Sequence, residues 1–269
     1  MTSEEESRHF ANRWGDTSEP VPERRRLRQD DCACFDQSRP HPRARVGFHT
    51  ERQDTSAPGW LRLLELIDEA ASDEREEFSP LVVLSPEERR QIITLPPSIG
   101  RLTMVKHLVL YGSNFVRVPP EIGTMTNLEE FTPYTSYRLH WFPYELTRCE
   151  QLSRSTVSTR ALFGNDKLRP PFPRLRPGLE SASDLALGNL DPRRWGTTAI
   201  HACSVCDRPI EQAGLRQRWI SLRVATDVLP LLVNACSSAC IAALPGGAPD
   251  YTPTPHKGGR VDQPPSDWD

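Results

Sequence analysis

The sequence predicts an α/β protein with two parts. The first is a short solenoid of repeated units with N-terminal capping helices, and the second is a small α+β module built around four cysteines. A period of 23 residues predicts the first part, because Pro97 recurs as Pro120 and again as Pro143. Such a period is typical of a solenoid, in which each unit buries its apolar face against its neighbours. The pattern C-x2-C…C-x3-C near the C-terminal end predicts the second part.

Composition and charge exclude several classes of protein. The chain has 269 residues and a formal net charge of -3, so no global field draws it toward nucleic acid or an anionic membrane. No long apolar run is present, and the N-terminal MTSEEESRHF lacks the features of a secretory signal. We therefore expect no membrane association and a cytoplasmic location. In a reducing compartment we expect no disulfide framework from the seven cysteines, and the four at paired short spacing favour a metal site.

Three regions follow one another along the chain. Residues 1–57 are charged, rich in proline and poor in aliphatic side chains, which predicts a disordered arm. Residues 58–190 hold the helical cap and the repeats, and residues 191–269 hold the cysteine module and a C-terminal tail. The cap is predicted by two segments: APGWLRLLELIDEAA has apolar residues at helical spacing, and LSPEERRQII has a capping box formed by Ser85 and Glu88.

The repeat is clearest in two consecutive segments, LPPSIGRLTMVKHLVLYGSNFVR from Leu95 and VPPEIGTMTNLEEFTPYTSYRLHW from Val118. A third begins at Phe142. These segments resemble the leucine-rich-repeat family with units of the type LPxxIGxLxxLxxLxLxxN. The resemblance implies one short parallel strand in each unit, with Leu108 and Phe131 facing inward. The later units depart from the pattern.

In that family the concave face binds other proteins, so the resemblance implies a recognition surface on the side chains that project from the strands. The candidate partner-binding residues are His107, Val109, Tyr111, Glu130, Thr132, Tyr134 and Arg154. The densest aromatic stretch of the chain, FTPYTSYRLHWFPYEL, overlaps this set. Aromatic residues dominate binding hot spots, but we expect Trp141 and Phe142 in the core, whereas Tyr134 suits either role.

The cysteine pattern lies in HACSVCDRPI and LLVNACSSACIAAL. Its candidate metal ligands are Cys203, Cys206, Cys236 and Cys240. The sequence predicts two thiols on a turn, then a hairpin, then two thiols at the start of a helix. In this order of elements the four sulfurs can converge. This order resembles a treble-clef zinc finger. Thiolates are soft donors, and four of them form a closed site typical of structural Zn²⁺.

Other interpretations of the cysteines and nearby histidines are less favoured. A redox C-x-x-C pair requires a helix directly after the second cysteine, but Cys206 is followed by Asp207-Arg208-Pro209. His201 and His256 are possible substitute ligands, although four cysteines already complete a shell.

The predicted function is protein–protein interaction or scaffolding, with a protein partner of unknown identity and a structural zinc site. We expect no enzymatic activity, because His107 and His140 lack a nucleophile or carboxylate at motif spacing and no glycine loop has phosphate-binding context. The alternative is a zinc module that binds nucleic acid through Arg216 and Arg218, with the repeats regulating or localising it.

Overall fold

Helices are few in the described part of this protein, and all but the first are short. The computed structural model describes residues 47–164, 169–175, 200–210 and 214–264. The α-helices are α1 (Pro58–Ser72), α2 (Pro80–Val83), α3 (Pro86–Gln91) and α4 (Ser238–Ala242). Helices α1 and α3 are the two that the sequence predicts. The capping box of α3 is present: the Glu88 N–H donates to the Ser85 hydroxyl, and the Ser85 N–H donates to the Glu88 carboxylate.

Within the described residues, the strands form two sheets. The first is parallel and has the order β1 (Glu77–Phe78), β2 (His107–Val109), β3 (Glu130–Thr132), β5 (Arg154–Ser155). The second is mixed and has the order β4 (Phe142–Pro143), β7 (Asp227–Ala235), β6 (Arg216–Val224). Strands β6 and β7 form an antiparallel hairpin, and β4 lies parallel to β7.

The 23-residue spacing appears as strand register in the parallel sheet. Leu108 of β2 lies beside Phe131 of β3, and both side chains are fully buried. A short 3-10 helix precedes each of β2, β3 and β5, and these helices span Pro97–Arg101, Pro120–Thr124 and Tyr144–Arg148. They stack closely, since a Cβ atom on Gly123 would lie 2.6 Å from the carbonyl oxygen of Glu145. Glycine at this position is therefore required by the close approach.

The predicted solenoid with a separate small α+β module is wrong. Residues Phe142 and Pro143, expected to open a third repeat unit, form β4 of the mixed sheet and pair with Leu231 and Leu232 of β7. The physical reason is apolar burial: Trp141 and Phe142 are 2% and 1% exposed, and the hairpin supplies the surface that covers them. The chain thus builds a parallel sheet and a mixed sheet that share one core.

Apolar side chains form two clusters, one on each face of the hairpin. The larger cluster runs from Leu63 of α1 through Leu108 to Ile220 and Leu231 of the hairpin. The smaller cluster consists of Trp141, Phe163, Phe172, Leu175, Trp219 and Leu232. Neighbouring residues of a strand point to opposite faces. The hairpin is therefore covered on both sides.

Residues 47–54 form a segment that we call the N-terminal strap. The Phe48 ring lies 5.6 Å from the Trp219 ring and 5.9 Å from the Trp141 ring. The Arg117 guanidinium donates to the Glu51 carbonyl oxygen, and the Ile93 N–H donates to Gln53 Oε1 over 2.7 Å. The strap belongs to the stretch that the sequence predicts as a disordered arm, and residues 1–46 of that arm lie outside the described residues. The predicted boundary at residues 190 and 191 lies outside them as well.

His256 lies against the hairpin rather than among the cysteines. Its backbone exchanges two hydrogen bonds with Trp219, at 2.8 and 2.9 Å. The Gly258 N–H donates to its Nδ1 atom over 3.1 Å, and its ring meets the Phe172 ring at 4.7 Å. Burial lowers the pKa of His256 to about 4. The folded protein therefore favours the neutral imidazole.

We expect the free energy of unfolding to fall as the pH decreases from 6.5 toward about 4. In this interval the unfolded chain binds a proton at His256 that the folded protein does not bind. The contribution of His256 to the free energy of unfolding is therefore fully present above pH 6.5 and is lost as the pH falls toward about 4. Denaturant unfolding of wild type and His256→Gln at about pH 7 and pH 5 checks this. The variant should lose less free energy of unfolding than wild type between the two pH values. Equal losses in the two proteins would exclude the His256 imidazole as a cause of the pH dependence. His201→Gln, which alters an exposed imidazole, is the control.

Candidate functional site

The four cysteines that the sequence singles out converge on one point. The Sγ atoms of Cys203, Cys206, Cys236 and Cys240 all lie within 4.8 Å of one another. Cys206 and Cys236 are 3.5 Å apart, and Cys240 lies 3.6 Å from each of them. All four are free cysteines. The prediction that these residues form a cluster able to bind a metal ion is confirmed.

Local backbone structure positions each pair of cysteines. Cys203 and Cys206 lie on a tight turn in which the Cys203 N–H donates to the Arg208 carbonyl and the Asp207 N–H donates to the Cys203 carbonyl. Asp207 has a φ of 60°, in the left-handed region that closes such a turn. On the other side, Cys236 directly follows β7 and Cys240 lies in α4. The Ser237 hydroxyl accepts the Cys240 N–H over 3.1 Å and begins that helix.

The thiols differ in how readily they ionise. Backbone N–H donation at Arg208 is the main cause that lowers the pKa of Cys206 to about 7. Burial raises the pKa of Cys236 to about 12 and raises the pKa of Cys203 as well. The Cys236 N–H also donates to Cys203 Sγ over 3.4 Å. A cation that binds here must therefore displace protons from the buried thiols.

A polar network that sequence reasoning missed holds the Cys203–Cys206 turn to the rest of the fold. The Ser204 N–H donates to the Asn234 carbonyl, and the Asn234 N–H donates to the Ser204 hydroxyl, at 2.8 and 2.9 Å. Burial raises the pKa of the nearby Glu145 carboxyl, and the Ser204 hydroxyl partly offsets that effect. Arg148 donates to the Ser204 carbonyl over 2.9 Å and forms a 2.6 Å ion pair with Asp207. No spacing rule connects Glu145 and Arg148 with the cysteines, because the contact exists only through β4–β7 pairing.

The candidate partner-binding residues lie together on the outer face of the parallel sheet. His107, Glu130 and Arg154 form one row across three strands, and Val109 pairs with Thr132 in the next row. Glu130 and Arg154 form a 3.0 Å ion pair. Beyond the strands, Tyr111 and Tyr134 follow in the same order, with ring centroids 6.0 Å apart. That this face binds a protein partner remains a prediction.

The aromatic stretch divides between core and surface. Trp141 and Phe142 are buried, as predicted, and Phe142 meets Phe131 edge to face at 5.7 Å. Tyr111 and Tyr134 are 52% and 43% exposed. Large exposed aromatic side chains in a cluster need a reason beyond packing.

No protein-family model matches this chain, and comparison with curated proteins found no match. Among the residues that the structure describes, no helix has the length and apolar character to cross a membrane.

Replacing Ser204 with alanine should destabilise the protein by about 1–3 kcal/mol, because the buried Asn234 N–H loses its hydrogen-bond partner. Ser204 is 2% exposed, so water cannot replace the hydroxyl without rearrangement. Denaturant unfolding measures the effect. Ser153→Ala removes an exposed hydroxyl as the control and should change stability by no more than about 0.5 kcal/mol. Equal effects of the two substitutions would contradict a supporting role for Ser204.

Proposed function

We propose that this protein is a non-enzymatic binding protein with two functional features. A structural zinc ion at Cys203, Cys206, Cys236 and Cys240 fixes its C-terminal part. The outer face of its parallel sheet, defined by the candidate residues from His107 to Arg154, recognises a protein partner.

The convergence of four sulfurs supports the zinc part of the proposal. Four sulfurs that each lie about 2.3 Å from one Zn²⁺ are about 3.8 Å apart in a tetrahedron. The 3.5 and 3.6 Å separations among Cys206, Cys236 and Cys240 are close to that spacing. Soft thiolates suit zinc, and a set of four leaves no open position for a reacting water. The ion would therefore contribute to folding and not to hydrolysis.

The structure around Cys203 and Cys206 also argues against a redox pair. A thioredoxin-type C-x-x-C needs a helix that begins at the motif. Here the chain turns back, and Ala202 forms an antiparallel bridge with Pro209. A reducing compartment such as the cytoplasm suits cysteines that serve as thiolate ligands.

Elemental analysis of purified full-length protein should find about one zinc per chain. Cys236→Ser should lose most of this zinc and unfold at a lower temperature, because metal binding contributes directly to folding free energy. Cys149→Ser is the matched control: it changes a buried cysteine outside the cluster and should retain zinc even if its unfolding temperature falls. Metal-free wild type with four freely titratable thiols would rule out the zinc centre.

The exposed pair Tyr111 and Tyr134 supports the recognition part of the proposal. Tyrosine supplies a large rigid contact area together with a hydroxyl, and it is enriched at binding hot spots. The adjoining row of His107, Glu130 and Arg154 adds charges of both signs, which favour orientation and specificity. The two tyrosine rings therefore offer an apolar contact area, and the neighbouring charged side chains form a polar rim beside it.

Affinity capture with the full-length protein should recover a partner that the Tyr111→Ala/Tyr134→Ala variant does not recover. Titration with that purified partner should show binding weakened at least about tenfold, since each hot-spot side chain contributes more than about 1 kcal/mol. Val82→Ala, which trims an exposed apolar side chain elsewhere, should bind as wild type does. Unchanged affinity of the double variant, or no capture by wild type above background, would contradict the proposed recognition surface.

A further inference from the structure

Two arginines project from the same face of β6. Arg216 and Arg218 are two residues apart in a strand, so their side chains point to the same side. Both are half-buried. Their cross-strand partners on β7 are Ala235 and Val233, which carry no charge. Two guanidinium groups therefore lie next to each other on an otherwise apolar part of the hairpin.

Neither guanidinium pairs with a carboxylate in the part of the chain that the structure describes. Arg218 donates through Nη1 to the carbonyl oxygen of Gln217 over 2.8 Å. Among the described residues, the buried Nε atom of Arg216 has no hydrogen-bond partner. Two other half-buried arginines do pair with carboxylates, Arg138 with Glu51 and Arg148 with Asp207.

This arrangement is unfavourable without a counter-charge. Burial lowers the pKa of Arg218, and the neighbouring charge of Arg216 lowers it further. A buried donor without a partner also carries a desolvation penalty. An anion bound between the two groups would remove both costs, because it would supply the missing charge and accept from the unpaired Nε–H.

We propose that Arg216 and Arg218 form a binding site for a phosphate group. A guanidinium fork matches the spacing of two phosphate oxygens and can donate two parallel hydrogen bonds. Two such groups match the charge of about -2 that a phosphate monoester carries near neutral pH. The site uses none of the cysteines and none of the residues on the outer face of the parallel sheet. It therefore goes beyond the function proposed above.

Phosphate binding to the full-length protein tests this proposal. Inorganic phosphate should raise the unfolding temperature of wild type and shift its own ³¹P resonance as protein is added. Arg216→Gln/Arg218→Gln should weaken binding at least about tenfold, because charge-assisted hydrogen bonds are lost. Arg223→Gln is the matched control, since Arg223 lies on the same strand but is exposed. It should bind phosphate as wild type does.

A second probe distinguishes the two possible sources of the phosphate group, nucleic acid and a free phosphate or phosphomonoester. A single-stranded oligonucleotide of about 15 nucleotides that competes with phosphate, and whose binding weakens steeply with salt, would identify the ligand as nucleic acid. Phosphate binding without oligonucleotide binding would identify a free phosphate or a phosphomonoester.

Two outcomes would overturn the site: wild type binds neither probe, or the double variant binds both as wild type does. Arg218→Lys keeps the charge but removes the fork, so it provides a milder substitution if the double variant does not fold. Its phosphate affinity should also fall, and unchanged affinity would equally count against the site.

Discussion

The β6–β7 hairpin is buried on both of its faces, and the other elements are arranged so as to cover it. Eight of the nine residues of β7, from Val228 to Ala235, are buried. One face packs on the core that continues into the parallel sheet and α1, and the other packs on the aromatic cluster around Trp219. Because apolar burial is the main favourable contribution to folding, the two sheets depend on each other through this hairpin.

The cysteine cluster lies where that hairpin opens. Cys203 and Cys206 come before β6, and Cys236 and Cys240 come after β7. An ion at this point would join the two ends of the hairpin and so stabilise the folded chain. Glu145 and Arg148 extend the connection, because they contact Ser204 and Asp207 from the 3-10 helix that follows β4. The centre is thereby tied to the parallel sheet by polar contacts as well as by apolar packing.

Local signals in the sequence were enough to predict several parts of this structure. The capping box at Ser85 depends on residues three positions apart, and the convergence of the cysteines depends on short spacings, so both can be read directly. The fold class could not be predicted in this way. Phe142 packs on Phe131 and also pairs with β7, and the β7 surface that it meets lies far along the chain. The Glu145–Ser204 contact and the strap follow from that same long-range packing.

The contact of Phe48 with Trp219 also constrains the order in which the chain can fold during synthesis. The strap leaves the ribosome well before Trp219, the residue against whose ring Phe48 stacks. Domains generally fold as units during synthesis, once the residues that they need have emerged. Here the first described residues must wait for the hairpin. The strap is therefore among the last elements to reach its final position, and its Phe48 ring then completes the cover over Trp219.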